Sequence, residues 1–239
     1  MIDLHSHLLP GVDDGAQTLA ESLALARCAV ADGIRISALT PHVHPGRYDN
    51  DLPSLGVRFL AFRDALAAAG IPLDIRLAGE VRLGFEALSL LLEERVPFLG
   101  TVDGYRIMLL EFPHQGIPVG AEQFVEKMLK LGVRPLIAHP ERNKSVMQDP
   151  LRLGNFLDAG CWLQLTAGSI AGRFGEPAQE TAAFILRQGW AQVIATDAHN
   201  LEHRPPLLAE GVRAAAAIVG EKRARAMVSD FPAQILGLA

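Results

Sequence analysis

Residues 1–16, "MIDLHSHLLPGVDDGA", begin with a short apolar run and end in a turn-like segment with two aspartates. The run "IDLH" fits a β-strand, and His5 and His7 would lie on the same face of it, because side chains on a strand alternate with a period of two. Two imidazoles on one face are typical of a metal-binding pair, and the same spacing also arises by chance. The rest of the chain decides between these interpretations.

Strand-like runs alternate with amphipathic, helix-like segments along the whole chain. The runs after the first are "RISALT" (35–40), "LDIRLAG" (73–79), "YRIMLLEF" (105–112), "RPLIAH" (134–139), "CWLQLT" (161–166) and "QVIAT" (192–196). The clearest helices are predicted at 19–33, 53–70, 121–132 and 177–189, and most of these segments end at a glycine, as helices commonly do. Seven strands, each followed by a helix, indicate an α/β protein.

The alternation predicts a parallel sheet covered by helices, which is either an open doubly wound sheet or a closed barrel. Polar residues follow almost every predicted strand, whereas an open sheet collects them at one switch point. We therefore expect a distorted seven-stranded (β/α)7 barrel of the TIM-like kind, with its active site at the C-terminal ends of the strands.

The chain contains no linker or low-complexity stretch, so we expect a single domain over residues 1–239. The segment from about residue 205 is predicted to form two helices and a short apolar tail that close the barrel. No leader-like segment and no apolar run of about 18 residues is present, so a cytoplasmic location is expected.

The overall charge is modest, with 22 Lys and Arg against 27 Asp and Glu and a formal net charge of −5. No long run of either sign occurs, which argues against a generic nucleic-acid binder. Cys28 and Cys161 are far apart, so neither a disulfide framework nor a thiolate metal site is indicated.

Imidazoles and carboxylates follow nearly every predicted strand. The candidate metal ligands are His5, His7, Asp14, His42, Glu80, Glu111, His139, Asp197 and His199. In a barrel these nine side chains converge on one mouth, where burial and mutual repulsion would be costly without cations. Asp13, by contrast, is expected to be a turn residue.

Imidazole and carboxylate ligands without thiolates fit Zn, Mn or Fe at a hydrolytic centre. Nine ligands exceed the need of one ion, so two or three ions sharing a bridging carboxylate are indicated. Such ions activate a water and stabilise the oxygens of an in-line displacement at phosphorus, which predicts phosphoester hydrolysis. Arg142 is expected to bind the phosphate, Arg204 is a weaker second candidate, and the alternative for Arg142 is a salt bridge with Glu141 or a neighbour.

The strand-end motifs resemble the PHP (polymerase and histidinol phosphatase) superfamily, whose H-x-H and D-x-H hallmarks match His5, His7, Asp197 and His199. More narrowly, "DLHSHLLPGVDDGA", "TPHVHPGRY", "GEVRL", "LLEFP", "IAHPERN", "TAGSIAGRFG" and "ATDAHN" resemble the bacterial metal-dependent protein-tyrosine phosphatases of capsule and exopolysaccharide synthesis, the CpsB/YwqE type. The motifs occur in the family's order from residue 1 to about residue 204.

The resemblance implies three divalent ions, often manganese, with Fe, Zn and Mg as the alternatives. One ion would bind His5, His7, Glu80 and Asp197. The second would bind Glu80, Glu111 and His139, and the third Asp14, His42 and His199. Arg142 matches the family's catalytic phosphate-binding arginine, and Arg204 matches a second arginine thought to meet the phosphate.

The implied activity is hydrolysis of phosphotyrosine in a protein, with a bacterial tyrosine autokinase that regulates polysaccharide synthesis as the expected partner. The alternative is a small phosphoester such as histidinol phosphate, or a nucleotide or nucleic-acid end. An inactive metal-binding module and an amidohydrolase, which usually adds a strand-end lysine, fit the residues less well. His44, His114 and His203 have no assigned role, and the oligomeric state is left open.

A cysteine-based tyrosine phosphatase is excluded by spacing, because that mechanism needs an arginine six positions after the nucleophilic thiolate. Ile34 follows Cys28 at that distance, and Ala167 follows Cys161. The nucleophile must therefore come from metal-activated water.

Overall fold

All seven predicted strands form in the computed structural model, which describes residues 1–238. The strands are β1 (Ile2–Ser6), β2 (Ile36–Leu39), β3 (His42–Val43), β4 (Asp74–Leu77), β5 (Glu80–Arg82), β6 (Gly100–Val102), β7 (Tyr105–Glu111), β8 (Val133–Ala138), β9 (Trp162–Thr166) and β10 (Ala191–Ala195). The sequence did not predict the short strands β3, β5 and β6.

The four clearest predicted helices also form, together with shorter ones. The helices are α1 (Leu19–Ala31), α2 (Leu52–Ala68), α3 (Phe85–Leu92), α4 (Ala121–Lys130), α5 (Lys144–Gln148), α6 (Gly154–Ala159), α7 (Ala167–Ile170), α8 (Glu176–Arg187), α9 (Ala209–Val219), α10 (Glu221–Ala226) and α11 (Asp230–Ile235). Local sequence explains where α1 begins, because Thr18 and Glu21 form a reciprocal capping box at its first turn.

The strands follow one another around a ring. One parallel sheet has the order β1-β2-β4, and the other has the order β10-β9-β8-β7-β5-β3, with β6 antiparallel to β7. Strands β2 and β3 are two pieces of one strand position, and so are β4 and β5, because only two residues separate the pieces in each case. The prediction of a distorted seven-stranded barrel is confirmed, and the interruptions of two strand positions are the distortion.

The last seam of the ring, between β10 and β1, is made differently. Within residues 1–238 these two strands share no ladder along their length, but they meet where they end. The backbone N–H of Asp197 donates to the carbonyl of His5, and the N–H of His7 donates to the carbonyl of Ala198, both at 2.8 Å. The seam is therefore closed by residues of the predicted metal site.

Two apolar clusters surround the strands. The larger cluster lies between the sheets and the helices and includes Leu25, Phe62 and Phe156. The smaller cluster contains residues from six of the seven strand positions and lies inside the ring, with Leu4 and Leu109 among its members. Small residues such as Ala38 belong to it as well, because the interior of a narrow ring leaves little volume.

The C-terminal segment forms three helices, α9 to α11, and not the predicted two with an apolar tail. Gly220 adopts a φ of +82° and separates α9 from α10, and Pro232 lies within the first turn of α11, where a proline is tolerated. Ile235 of α11 joins the cluster inside the ring. This contact supports the expectation that the segment closes the barrel, and a single domain stays a prediction.

No helix within residues 1–238 is both long and apolar enough to cross a membrane.

We expect Gly100→Ala to lower the free energy of unfolding by about 2 kcal/mol, as overpacking of a closed contact does. A Cβ atom at Gly100 would lie 1.8 Å from the carbonyl oxygen of Ile235, so α11 would have to move away from β6. Urea unfolding followed by circular dichroism measures the change. Gly56→Ala is the control, because a Cβ atom there has no neighbour within 4 Å outside its own helix. This variant should lose no stability and should gain up to about 1 kcal/mol, because Gly56 lies within α2, where alanine is the better helix former.

If the chain is a single domain, both variants unfold in one cooperative transition. If Gly100→Ala instead shows a separate transition at low urea that removes only part of the circular-dichroism signal, then α9 to α11 unfold as an independent unit.

Candidate metal centre

The four residues His5, His7, Glu80 and Asp197 lie together at the mouth of the ring and are all buried. His5 Nε2 lies 3.3 Å from Glu80 Oε2 and 3.2 Å from Asp197 Oδ1. His7 Nε2 lies 3.4 Å from each of the same two oxygens. Two nitrogens and two oxygens thus surround one point, as the ligands of a metal ion do.

The hydrogen-bond partners of Nδ1 in His5 and His7 determine that Nε2 is the ring nitrogen available to a metal ion. His5 Nδ1 lies 2.8 Å from Gln164 Oε1, and His7 Nδ1 lies 2.6 Å from Asp13 Oδ2. Since both partners are acceptors, each Nδ1 carries the proton and each Nε2 of a neutral ring presents a lone pair. The two Nε2 atoms are 3.2 Å apart, so their lone pairs repel unless a cation lies between them.

Several buried atoms of the site have no hydrogen-bond partner among residues 1–238. They include Glu80 Oε2, Asp197 Oδ1 and His199 Nε2. An unpartnered buried carboxylate oxygen is costly, and buried charges in proteins are normally paired or coordinate a metal. The residues present therefore fit a metal centre on chemical grounds, because carboxylate oxygens and imidazole nitrogens are ligand atoms that Mn, Fe or Zn prefer.

Two further groups of candidate ligands adjoin the first. One consists of His7, Asp14, His42 and His199, and the other of His42, Glu80 and Glu111. Asp14 Oδ1 lies 3.2 Å from His42 Nε2 and 3.5 Å from His199 Nε2. His42 Nδ1 lies 2.9 Å from Glu80 Oε2, so Glu80 is shared between two of the groups.

The groups agree only in part with the ligand sets that the resemblance implies. The first set is reproduced, and the third is reproduced with His7 added. In the second, His42 takes the place of His139, whose Nε2 lies 2.8 Å from the other carboxylate oxygen of Glu80. All nine predicted side chains therefore lie at one mouth, and their assignment to individual ions stays a prediction.

The backbone itself turns two of these side chains into the mouth. His139 and Asp197 follow the ends of β8 and β10 with φ of +33° and +53°, a region that residues other than glycine seldom adopt. Such strain persists only where the surroundings impose it, and it clusters at functional sites. At Asp197, the hydrogen bond from its N–H to the His5 carbonyl holds this conformation.

The charges of the mouth shift the pKa values of the candidate ligands in both directions. Burial lowers the pKa of His5, His7 and His42, but nearby carboxylates outweigh burial and raise all three pKa values, that of His42 to about 10.

The resulting positive imidazoles help to keep other candidate ligands in the form that binds metal. Burial raises the pKa of Glu80, but His5 and His42 outweigh this effect and hold the pKa well below its usual range. Burial, followed by the charge of Arg142, lowers the pKa of His139 to about 3. Burial and His7 lower the pKa of His199 to about 4. An ionised carboxylate and neutral imidazoles are the ligating forms of these groups.

Arg142 and Arg204 both reach the centre through Asp197. Arg142 Nη1 and Arg204 Nη2 donate to the same oxygen, Asp197 Oδ2, while Asp197 Oδ1 faces the two histidines. The guanidinium of Arg142 also lies 4.5 Å from the centre of the Phe174 ring, a cation–π contact. The ion pair of Arg142 is with Asp197 and not with Glu141, whose Oε1 accepts the backbone N–H of Thr166.

A cleft of about 420 Å³ opens over the centre. Both predicted arginines line it, and so do Arg47 and Arg82, which the sequence did not single out. Arg82 Nη1 lies 3.0 Å from Glu111 Oε2, and Arg47 lies over the ring of Tyr48. One guanidinium group can donate two parallel hydrogen bonds to two oxygens of a phosphate. The cleft therefore suits a phosphate group that approaches the candidate metal centre.

Two residues that orient the ligands were missed. Asp13 is buried and accepts hydrogen bonds from His7 Nδ1 and from the backbone of Gly15 and His42, so its assignment to a turn was incomplete. Gln164 lies on β9, the one predicted strand to which no ligand was assigned. The sequence offered one indication of this role, since a glutamine interrupts the apolar run "WLQLT" of a strand predicted to be buried.

The three unassigned histidines differ in position. His44 and His114 line the cleft, and burial lowers the pKa of each. The side chain of His203 is 84% exposed and lies outside that lining. Neither cysteine suits a thiolate mechanism, because burial raises the pKa of Cys161 to about 12 and also raises that of Cys28.

The ring and its mouth define a class of protein, the α/β barrels in which carboxylates and imidazoles at the strand ends are placed to bind metal. A solved structure supports the fold. The phosphotriesterase homology protein of Escherichia coli shares the fold, with a TM-score of 0.60 at 14% identity over 98% of each chain.

The chain belongs to the family described as "Capsular polysaccharide synthesis, CpsB/CapC", which it matches over residues 1–237. It is 34% identical to the tyrosine-protein phosphatase YwqE of Bacillus subtilis over 85% of this chain and 79% of the relative. It is 29% identical to the tyrosine-protein phosphatase CpsB of Streptococcus pneumoniae over 99% and 98% of the two chains.

A solved structure agrees with these relatives. It is described as "Crystal structures of YwqE from Bacillus subtilis and CpsB from Streptococcus pneumoniae, unique metal-dependent tyrosine phosphatases". The TM-score is 0.91 at 30% identity, over 100% of this chain and 95% of the other. The predicted family and barrel are confirmed.

We expect Asp13→Asn to weaken binding of Mn²⁺ by about 10-fold, because the residues that orient metal-bound histidines commonly contribute this much. The substitution keeps the shape of the side chain but removes the charge that accepts the proton of His7 Nδ1. Isothermal titration of metal-free protein measures the affinity.

Asp64→Asn is the matched control, because Asp64 is an exposed aspartate on α2 with only Arg63 as a partner. Equal Mn²⁺ affinities for the two variants would contradict the role of Asp13.

Proposed function

We propose that the chain is a metal-dependent protein-tyrosine phosphatase, a phosphoric monoester hydrolase of capsule or exopolysaccharide synthesis. The observation that carries this proposal is the shared carboxylate of Glu80, which joins two groups of candidate ligands directly beneath a cleft lined by arginines. A centre of several ions under a cationic cleft suits a phosphate ester. The names of the relatives support the choice of phosphotyrosine over other esters.

The proposed cofactor is three divalent ions, with manganese first and iron, zinc or magnesium as the alternatives. Their ligands would be the nine side chains that meet at the mouth, namely His5, His7, Asp14, His42, Glu80, Glu111, His139, Asp197 and His199. When bound, the ions would supply the activated water for attack at phosphorus and neutralise the charge of the phosphate.

Arg142 and Arg204 would contribute the binding of the phosphate oxygens. Both guanidinium groups are held through Asp197 Oδ2, so they are fixed in place before the substrate arrives. A preorganised donor stabilises the charge that develops in the transition state without reorganising during the reaction. The phenolate of tyrosine is a good leaving group, so the reaction does not require a fixed general acid. His44 and His114 line the cleft, and neither is assigned that role.

The proposed substrate is a phosphotyrosine protein, with a bacterial tyrosine autokinase of polysaccharide export as the partner. The alternative is a PHP-type phosphoesterase for histidinol phosphate, nucleotides or nucleic-acid ends. A cytoplasmic location stays a prediction of the sequence. The sequence leaves the oligomeric state open.

A comparison of three substrates tests the activity. With Mn²⁺ present, we expect the chain to hydrolyse a phosphotyrosine peptide and to leave histidinol phosphate and a dinucleotide unchanged, because the relatives act as tyrosine phosphatases. Release of inorganic phosphate measures the first two reactions, and chromatography measures the third.

A chelator should abolish the turnover, and added Mn²⁺ should restore it, if the ions supply the nucleophile. Turnover of only histidinol phosphate or the dinucleotide would refute the proposed substrate. Fewer than two metal ions per chain after reconstitution would refute the proposed centre.

We expect Arg142→Ala to lower kcat/KM for the phosphotyrosine peptide by about 100-fold or more, as the loss of one preorganised donor does. The metal content should stay near normal, because Arg204 still donates to Asp197 Oδ2 and the ligand atoms are untouched. Mass spectrometry of the metal content and steady-state kinetics give the two readouts.

Arg152→Ala is the control, since Arg152 is an exposed arginine whose nearest carboxylate is Asp149. A variant of Arg142 that loses its metal together with its activity would show that this arginine has a structural role.

A further inference from the structure

A second cavity, of about 390 Å³, lies between the start of α3 and the start of α4. Leu83, Leu88 and Phe124 line it and are partly buried against the core. Phe85 and Val119 complete its apolar lining and are 87% and 107% exposed. We call this cavity the apolar groove.

At two places along the chain, residues that line the apolar groove closely follow residues that line the cationic cleft. At the end of β5, Arg82 lines the cleft and the next residue, Leu83, lines the groove. After β7, residues 113–115 line the cleft and residues 118–121 line the groove. The N–H of Leu83 donates to the carbonyl of Glu111 at 2.9 Å, so a backbone hydrogen bond connects the two places.

The topology explains why the two cavities are neighbours. Strands β5 and β7 pair in parallel, and both carry site residues, Glu80 and Glu111. Helices α3 and α4 follow these strands, so their first residues lie on the same rim of the ring as the metal centre. The groove and the cleft therefore open at the same rim of the ring.

The chemistry of the groove is opposite to that of the cleft. The cleft is lined by four arginines, four histidines and three carboxylates, whereas among residues 1–238 Lys127 is the one charged residue that lines the groove. Almost fully exposed Phe and Val side chains beside a partly buried apolar floor are typical of a recognition surface. A ligand that fills both cavities is anionic at one point and apolar close to it.

We infer that the apolar groove binds an apolar side chain that flanks the phosphotyrosine of the protein substrate. The inference rests on the proposed function, because the phosphotyrosine in the cleft is what brings the flanking chain to the rim. The substrate segment lies extended across the rim, where its side chains point alternately toward and away from the surface. The groove then makes the phosphatase selective for sequence around the phosphotyrosine.

The first experiment uses the Mn²⁺-loaded, full-length protein and three kinds of probe. These are free phosphotyrosine, a phosphotyrosine peptide with only Gly and Ser around it, and a series in which one Leu replaces each flanking position in turn. We expect at least one Leu position to raise kcat/KM over the Gly-Ser peptide by about 10-fold, a typical gain for an apolar side chain in an apolar pocket.

The second experiment removes the apolar lining. Val119→Ser and Phe85→Ser should each abolish the advantage of the Leu peptide and leave hydrolysis of free phosphotyrosine at the wild-type rate. Both side chains are exposed, so the fold should be unaffected, and thermal unfolding checks this. Val57→Ser is the matched control, because Val57 is 73% exposed on α2 and lies outside both linings.

The possible failures are distinguishable. A wild-type protein that hydrolyses free phosphotyrosine but gains nothing from any Leu position overturns the role of the groove and leaves the proposed function intact. A wild-type protein that hydrolyses no phosphotyrosine probe overturns both. A dimer in sedimentation analysis that Val119→Ser dissociates would show that a second copy of the chain occupies the groove, which also overturns the inference.

Discussion

The mutual repulsion of imidazole lone pairs and carboxylates at the mouth of the ring is the constraint on which the rest of the structure depends. His5 Nε2 and His7 Nε2 face each other at 3.2 Å, and two carboxylate oxygens face the same point. In the low-dielectric interior of a protein such a group needs positive charge to compensate it, either protons on the imidazoles or bound metal ions. The strained backbone at His139 and Asp197, and the buried partners Asp13 and Gln164, hold the groups in place against this repulsion.

Asp197 shows how the centre and the cleft are coupled. One of its oxygens faces the histidines of the centre, and the other accepts hydrogen bonds from Arg142 and Arg204. A single carboxylate therefore sets the distance between the ions that would bind below and the guanidinium groups above. Any substitution of Asp197 changes both at once, whereas Arg142 and Arg204 can be changed separately.

The sequence predicted the seven strand positions and the meeting of nine candidate side chains at one mouth, because both leave local patterns. Apolar runs followed by His, Asp or Glu mark the ends of parallel strands, and those ends meet at one rim in a barrel. The residues that were missed leave no such pattern. Asp13 resembles a turn residue in sequence, and its bond to His7 appears only when the loop folds back. The spacing of residues in the sequence also could not predict that His42 groups with Glu80 and Glu111, because this grouping depends on the orientation of the His42 imidazole.

The seam between β10 and β1 has a consequence for the order in which the molecule can be assembled. The backbone hydrogen bonds of the seam join His5 to Asp197 and His7 to Ala198, and nearby Thr196 donates to the carboxylate of Asp3, which is 193 positions away. Contacts of such long sequence separation form late, because the entropy of closing the intervening loop must be overcome first. During synthesis His5 and His7 therefore wait for Asp197 until the whole of β10 has been made. The full set of candidate ligands assembles only then, together with closure of the ring.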